Sequence, residues 1–187
     1  MVNWVIVYVR TGTEKKTVDT LKNILDSEYY KPFIPVKETP YRRRGVISKQ
    51  QKLLFPGYVF IETKIEPNEI ATNLRPILMD KIRLKDIIKL LHYDKNQNEV
   101  VLIEAERLYW TKLFNEEYCV TGSIGYLEGD KLRVISGALF GMEGEIKRVD
   151  RHRRLANVET QIMGKKIEIR VMLELIKKNT EPKNLAV

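Results

Sequence analysis

The first strand-like run of this chain is apolar on both of its faces. Residues 4–9 read Trp-Val-Ile-Val-Tyr-Val, so valines fill one face of an extended strand and larger side chains fill the other. A helix is predicted directly afterwards, because Gly12 and Thr13 are typical of a turn and an N-cap, and apolar residues then recur at helical spacing. The start of the chain therefore predicts a sheet that is covered on both sides.

The next stretch follows a period of two. Residues 33–37 are predicted to form a short strand, and residues 41–52 a polar hairpin or arm that turns at Gly45. Within residues 53–62, Pro56-Gly57 predicts a break before a strand resumes. The remaining predictions are a helix over 67–74, a strand and then a helix over 77–91, a polar loop over 94–98 and a helix over 104–114.

The character of the chain changes near residue 115. Residues 116–126 contain acidic residues, glycine and serine but few aliphatic residues, which predicts an interdomain linker with a mean span of about 20 Å. Five short strands are predicted beyond it, over 131–135, 144–149, 155–162, 165–171 and 173–176, and they indicate a small barrel. The predicted domains are residues 1–115 and 127–178, joined by the linker 116–126 and followed by a tail, 179–187.

The composition argues against several classes of protein. With 33 Lys and Arg against 25 Asp and Glu, the formal net charge is +8, which favours a polyanionic partner. The only cysteine, Cys119, with His92 and His152 provides neither a disulfide framework nor a typical metal site. No activated nucleophile or Gly-rich phosphate loop stands out, so we expect no enzyme, no catalytic residues, no metal and no cofactor. Without a signal peptide or a membrane-length apolar run, we expect a cytoplasmic protein with no membrane partner.

Aromatic residues are concentrated in two nearby segments. Phe55, Tyr58 and Phe60 flank the predicted break, and Trp4 and Tyr8 lie on the first strand. Each residue alone suits a hydrophobic core. If helices cover only one side of the sheet, the same residues would form an exposed patch on which a partner helix docks. Both interpretations are open at the level of sequence.

Two basic clusters are candidates for nucleic-acid contact. The arm cluster consists of Arg42, Arg43, Arg44, Lys49 and Lys52. The turn cluster lies in the predicted barrel and consists of Lys147, Arg148, Arg151, His152, Arg153, Arg154, Lys165, Lys166 and Arg170. The arm suits a solvated face and a phosphate contact equally well. At the turn, crowded like charges repel one another unless a polyanion relieves them, so RNA binding is favoured over a solvated loop.

Two motifs, in the same order and at similar spacing, resemble the NusG family of transcription elongation factors. The first is the Trp-Val-Ile-Val-Tyr-Val strand with its Thr-Gly-Thr turn, followed about fifty residues later by Phe-Pro-Gly-Tyr-Val-Phe-Ile-Glu. The second comprises residues 128–134 and 141–146, which resemble the KOW motif. The resemblance implies an α+β protein with an N-terminal NusG-like (NGN) α/β sandwich and a C-terminal SH3-like KOW β-barrel.

The resemblance also implies partners. The N-terminal domain would bind RNA polymerase at the clamp helices of its largest subunit, through Trp4, Tyr8, Phe55, Tyr58 and Phe60. The arm cluster would lie near the non-template DNA strand, and the protein would act as a monomer. Such contacts with phosphates position a protein without reading sequence.

Residues 150–156, Asp-Arg-His-Arg-Arg-Leu-Ala, resemble the LoaP paralogue subfamily. Members of that subfamily are associated with antitermination in long operons and with recognition of an RNA hairpin by the KOW domain. Two alternatives remain at this stage. The protein would be a general NusG factor whose KOW domain binds Rho or a ribosomal protein, or, in another class, a ribosomal or free RNA-binding protein.

Overall fold

The structure, a computed structural model, describes residues 2–94 and 97–177, and it confirms the α+β class. Across these residues the elements are β1 (Asn3–Val9), α1 (Glu14–Ile24), β2 (Tyr30–Phe33), β3 (Val36–Arg43), β4 (Val46–Leu53), β5 (Tyr58–Thr63), α2 (Pro67–Leu78), β6 (Ile87–Leu90), α3 (Glu104–Leu113), β7 (Cys119–Val120), β8 (Ser123–Glu128), β9 (Lys131–Ser136), the 3-10 helix η1 (Glu143–Glu145), β10 (Ile146–Asp150), β11 (Leu155–Ile162) and β12 (Lys165–Leu175). Elements β1 to β7 form the N-terminal domain, and β8 to β12 form the β-domain.

The sheet of the N-terminal domain has the order β2-β5-β1-β6 and is covered on both faces, as predicted. The valines of β1 pack in one hydrophobic cluster with Leu21 of α1 and Leu74 of α2. On the opposite face, Trp4 and Ile6 pack in a second cluster with Trp110 of α3. The sheet is thus the middle layer of a three-layer sandwich, because β1 has no polar face to present to water.

Strands β3 and β4 form the predicted hairpin. Arg43 pairs with Val46 across a two-residue turn, Arg44-Gly45, in which both residues have positive φ (50° and 82°). This is the conformation of a type I′ turn, whose twist matches that of the strands. The hairpin is exposed towards its tip, and at its base β7 pairs with β3 in parallel, joining Val36 to Cys119.

Two predictions between residues 33 and 91 were wrong in detail. The single strand expected over 33–37 is interrupted, since β2 ends at Phe33 and β3 begins at Val36 after Pro35, which provides no N–H donor. Over 77–91 the expected order of strand and helix is reversed. Helix α2 continues to Leu78, where a buried side chain completes its apolar stripe, and β6 then adds to the edge of β1.

The β-domain is one sheet with the order β10-β11-β12-β8-β9. Its longest strand, β12, pairs with β11 over Lys165 to Met172 and continues beside β8 from Leu173. The segment predicted as a separate strand over 173–176 is therefore largely the end of β12, and β8 supplies the fifth strand. Ile169 and Val171 of β12 are buried and alternate with exposed charged residues, as predicted.

The segment predicted as a flexible linker, 116–126, contains β7 and the first part of β8. Only Thr121 and Gly122 lie between these two strands. The Gly122 N–H donates to Glu38 at 2.6 Å, and a Cβ at position 122 would approach the Met172 sulfur to 2.9 Å. The connection between the domains is therefore short and packed, whereas the predicted tail, 179–187, lies outside the described residues.

A buried carboxylate joins the two domains. Glu106 of α3 is 2% exposed and accepts hydrogen bonds from the Met163 N–H at 2.9 Å and the Gly164 N–H at 2.8 Å, in the turn between β11 and β12. The Tyr93 hydroxyl donates to the same carboxylate at 3.1 Å. Burial, with the Glu106 charge nearby, raises the pKa of Tyr93 to about 12, so Tyr93 remains a donor at neutral pH.

A second buried carboxylate holds the loop at Pro56-Gly57. Glu14, 3% exposed at the start of α1, accepts hydrogen bonds from the Gly57 N–H at 2.7 Å and the Gly12 N–H at 2.8 Å. Gly57 has φ of 86°, and a Cβ there would lie 3.0 Å from the Tyr8 ring. Glu14 thereby fixes the path of the chain immediately before β5.

We expect Glu14→Ala to lower the free energy of unfolding by about 2–4 kcal/mol, because two backbone donors lose their acceptor. Denaturation in urea would measure the change. Asp19→Ala is the matched control, since Asp19 is exposed on the same helix. Equal losses in the two variants would contradict the role assigned to Glu14.

We expect Glu106→Ala to accelerate amide hydrogen exchange at Met163 and Gly164 by about ten-fold or more, because both donors lose a buried acceptor. Exchange measured by NMR on the intact protein would report it. Glu104→Ala, on the exposed side of the same helix, should leave both amides unchanged. Unchanged exchange in Glu106→Ala would mean that apolar contacts alone hold the turn.

Candidate functional site

The five aromatic residues singled out in the sequence divide into two groups. Trp4 is 4% exposed and Phe60 is fully buried, and their rings meet edge to face at 6.3 Å within the core. Tyr8, Phe55 and Tyr58 are half-buried, with the Tyr8 and Tyr58 rings 5.3 Å apart. Of these five residues, only the second group therefore leaves part of its aromatic surface accessible, and Trp4 and Phe60 belong to the core.

The position of Trp4 depends on residues that the sequence analysis did not identify as part of the site. Its indole N–H donates to Glu62 at 3.1 Å, and the Tyr118 hydroxyl donates to the same carboxylate at 3.2 Å. The Tyr118 ring stacks on Phe33 at 3.7 Å, and Lys31 lies 4.8 Å from the ring centroid. Tyr118 belongs to the predicted linker, where no periodicity connects it to the core of the N-terminal domain.

The aromatic group lies next to the domain junction. Phe55 packs edge to face on Trp110 at 5.2 Å, and the Trp110 indole N–H donates to the Gln161 carbonyl of β11 at 3.2 Å. One hydrophobic cluster runs from Trp4 through Trp110 to Met163 and the interior of the β-domain. The two domains share a core at this point.

The arm cluster lies on the exposed β3–β4 hairpin. Arg42, Arg43 and Arg44 surround the turn and are exposed, as is Lys52 nearer the base. Lys49 forms an ion pair with Glu38 at 2.8 Å, and the same carboxylate accepts the Gly122 N–H. Lys49 is therefore partly neutralised, whereas Lys37, Lys52 and the three arginines have no ion-pair partner within the described residues.

The turn cluster surrounds the loop between β10 and β11. Several of its cations have carboxylate neighbours: Lys147 and Lys166 at Glu159, Lys165 at Asp94, Arg153 at Asp150 and Arg154 at Glu174. Among residues 2–94 and 97–177, Arg148, Arg151 and Arg170 form no ion pair. All three are exposed, so their charge is available to an anion.

The fold brings the two basic clusters together. Lys37 of β3 donates to the Arg170 carbonyl of β12 at 2.8 Å, and this contact sets the base of the hairpin against the β-domain. Burial lowers the pKa of Lys37, and the charges of Arg170 and Lys52 lower it further. Cations from both domains thus lie close enough to repel one another.

Two chemical features are missing from the part of the chain that the structure describes. No cluster of three or more His, Cys, Asp or Glu side chains could hold a metal ion there. None of the helices described there is long and apolar enough to cross a membrane. The single cysteine, Cys119, is buried, and burial raises the pKa of its thiol.

Known proteins resemble this chain along most of its length. The transcription termination/antitermination protein NusG of Borreliella burgdorferi is 22% identical over 184 residues, covering 94% of this chain and 97% of the relative. The protein of the same name from Thermus thermophilus is 22% identical over 192 residues, covering 90% and 94%.

A solved structure described as "Domain interaction in Thermotoga maritima NusG" superposes with a TM-score of 0.54 at 19% identity, covering 93% of this chain and 94% of the other. That likeness shows the fold. The family model described as "Transcription termination factor nusG" matches residues 2–109, which is more than half of the chain. With the N-terminal sandwich and the C-terminal β-domain in place, the chain belongs to the NusG family of transcription factors.

Proposed function

We propose that this protein is a specialised NusG-type elongation factor that promotes processive antitermination. Its N-terminal domain binds RNA polymerase, and its β-domain binds RNA, namely a hairpin in a leader transcript. The observation that carries the proposal is the turn cluster, in which Arg148, Arg151 and Arg170 are exposed and lack an ion-pair partner in the described part of the chain. Such a concentration of like charge is relieved by a polyanion.

The resemblance of residues 150–156 to LoaP paralogues supports the same proposal. In the structure Arg154 has φ of 53° at the end of the turn, so the chain reverses within a few residues and groups the arginines at one end of the sheet. RNA hairpins present phosphates and unstacked loop bases to such a surface. A short connection to the polymerase-bound domain would raise the effective concentration of RNA and protein at one operon.

For polymerase binding, we assign direct contact to Tyr8, Phe55 and Tyr58, with Trp4 and Phe60 holding them in place. A few side chains, often aromatic, commonly supply most of the binding energy of an interface. The partner surface is the pair of clamp helices in the largest polymerase subunit. The protein acts as a monomer, in the cytoplasm and without catalysis.

For the arm cluster, we propose contact with the non-template DNA strand. The hairpin extends away from the sheet, and Arg43 and Arg44 lie at its tip. Contacts from these residues to phosphates would position the protein on the transcription bubble without reading the sequence.

The competing function is that of a general NusG factor whose β-domain binds Rho or a ribosomal protein. The names of the curated relatives favour it, since both are termination/antitermination proteins. The arginines distinguish the two functions, because a protein-binding β-domain does not need an exposed cationic turn.

We expect Phe55→Ala with Tyr58→Ala to weaken polymerase binding by at least a few kcal/mol, because the accessible part of two half-buried aromatic side chains is lost. A pull-down of core polymerase followed by titration would measure it. Tyr29→Ala is the control, since Tyr29 is 42% exposed at a distant turn. A folded double variant that binds polymerase as well as the wild type would refute the assignment.

We expect alanine at Arg148, Arg151, Arg153 and Arg154 to abolish capture of specific transcripts. The measurement is RNA crosslinking in cells followed by sequencing. The wild-type protein should enrich a few transcripts that share a hairpin. In vitro, binding through four phosphate contacts should weaken with salt with a log-log slope of roughly −3 to −4.

Alanine at the exposed lysines Lys15, Lys22, Lys85 and Lys89 is the matched control, because it removes the same charge from the N-terminal domain. This variant should still enrich the same transcripts. Uniform capture of nascent RNA by the wild type and both variants would instead support the general NusG factor.

A further inference from the structure

A groove of about 480 Å³ separates the β3–β4 hairpin from the β-domain, and we call it the interdomain groove. Lys37, Arg42 and Lys52 line it from the hairpin. His152, Arg153, Arg154 and Arg170 line it from the β-domain. It therefore contains part of the arm cluster and part of the turn cluster, which the sequence presents as separate features more than ninety residues apart.

The charge of the interdomain groove is almost entirely positive. No carboxylate is among its described lining residues. The nearest acidic partners lie at its margin, where Asp150 pairs with Arg153 at 3.8 Å and Glu174 pairs with Arg154 at 2.7 Å. Arg42, Lys52 and Arg170 have no such partner in the part of the chain that is described. An anion in the groove would be attracted from both walls.

The lining of the groove also includes three apolar side chains. They are Pro40 and Ile47 of the hairpin and Leu155 of β11, and we call these three residues the floor. Ile47 is 39% exposed and lies directly opposite Arg42 in the hairpin register. A site for phosphate alone gains nothing from an apolar floor, whereas the ring of a nucleobase would remove that floor from water.

We propose that the interdomain groove binds an unpaired nucleotide of an RNA, with its base on the floor of Pro40, Ile47 and Leu155. The flanking phosphates bind Arg42 and Lys52 on one side and Arg153 and Arg170 on the other. This inference rests on the proposed binding of RNA by the β-domain. It adds that the same RNA contacts the N-terminal domain. Arg42 and Lys52 of the arm cluster would then bind RNA, and the proposed DNA contact would belong to Arg43 and Arg44 at the outer tip.

Single-stranded RNA with unpaired bases suits this groove better than a nucleic-acid duplex does. Proteins that read RNA sequence bind unpaired bases in loops and bulges, where the base is free to leave the stack. A duplex offers phosphates to the cationic walls but keeps its bases stacked away from the floor. An RNA that spans the groove also binds most tightly to the arrangement of domains seen here, because only this arrangement brings the two walls together.

The test is binding of the intact protein to fluorescent single-stranded oligouridine of about 12 nucleotides, followed by anisotropy. Arg42→Ala with Lys52→Ala removes two cations from the groove. Lys85→Ala with Lys89→Ala is the matched control, since it removes the same charge from two exposed lysines of the N-terminal domain that do not line the groove. We expect the groove variant to bind about ten-fold more weakly, with a salt slope reduced by about 1.4, and the control to change by less than about three-fold.

The base contact has its own measurement. The wild type should bind oligouridine more tightly than an abasic strand of the same length, and Ile47→Ala should remove most of that difference. Ile47 is half-exposed on the hairpin, so the variant is expected to fold, and circular dichroism would verify this. No preference for bases in the wild type would overturn the proposed floor contact.

The outcomes separate this inference from the proposed function. Equal losses in the groove variant and the control variant, or no loss in either, would overturn the groove while leaving RNA binding by the turn cluster intact. The same holds for a wild type that crosslinks to transcripts in cells but does not bind oligouridine. A protein that crosslinks to no RNA in cells would overturn the proposed function itself.

Discussion

Burying a carboxylate is costly, and Glu106, which forms no ion pair with any residue that the structure describes, offsets this cost with hydrogen bonds from Tyr93, Met163 and Gly164. Two of the donors are backbone groups of the β11–β12 turn, so Glu106 fixes one end of that β-hairpin on α3. The contact from Lys37 to the Arg170 carbonyl fixes the same hairpin further along, against β3. The position of the turn cluster relative to the arm cluster follows from these attachments.

Local structure was largely predictable from the sequence, because glycine and proline residues indicate where the chain turns. Gly45 located the β3–β4 turn, and Pro56-Gly57 located the break before β5. The reversal over 77–91 was not predictable, because β6 is short and its pairing with β1 is decided by tertiary contact. The expected linker failed for a similar reason. Strand β7 has only two residues, too few to show a periodic pattern in the sequence, and it is ordered by pairing with β3.

The sequence predicted which residue types form the candidate site, but it did not predict how deeply each side chain is buried. Aromatic residues at positions 4, 55, 58 and 60 mark a cluster, but only packing shows that Trp4 and Phe60 are core and that Phe55 and Tyr58 are partly accessible. Glu14 and Glu106 position the site, but no sequence pattern singled them out. An acidic residue in the first turn of a helix is common on solvated surfaces. Likewise, nothing in the sequence indicated that the two basic clusters would share a groove.

The connection at Thr121-Gly122 determines how the β-domain is able to move. Two residues span at most about 7 Å, so β7 and β8 are joined by a short hinge rather than by a flexible linker. The hinge has four backbone torsions about which the β-domain could rotate. Longer excursions require β7 to peel from β3, and that pairing joins only Val36 to Cys119 and Lys37 to Val120. On polymerase, the β-domain could therefore swing only after its shared core with the N-terminal domain had opened, and its range would then be set by β7 rather than by diffusion of a coil.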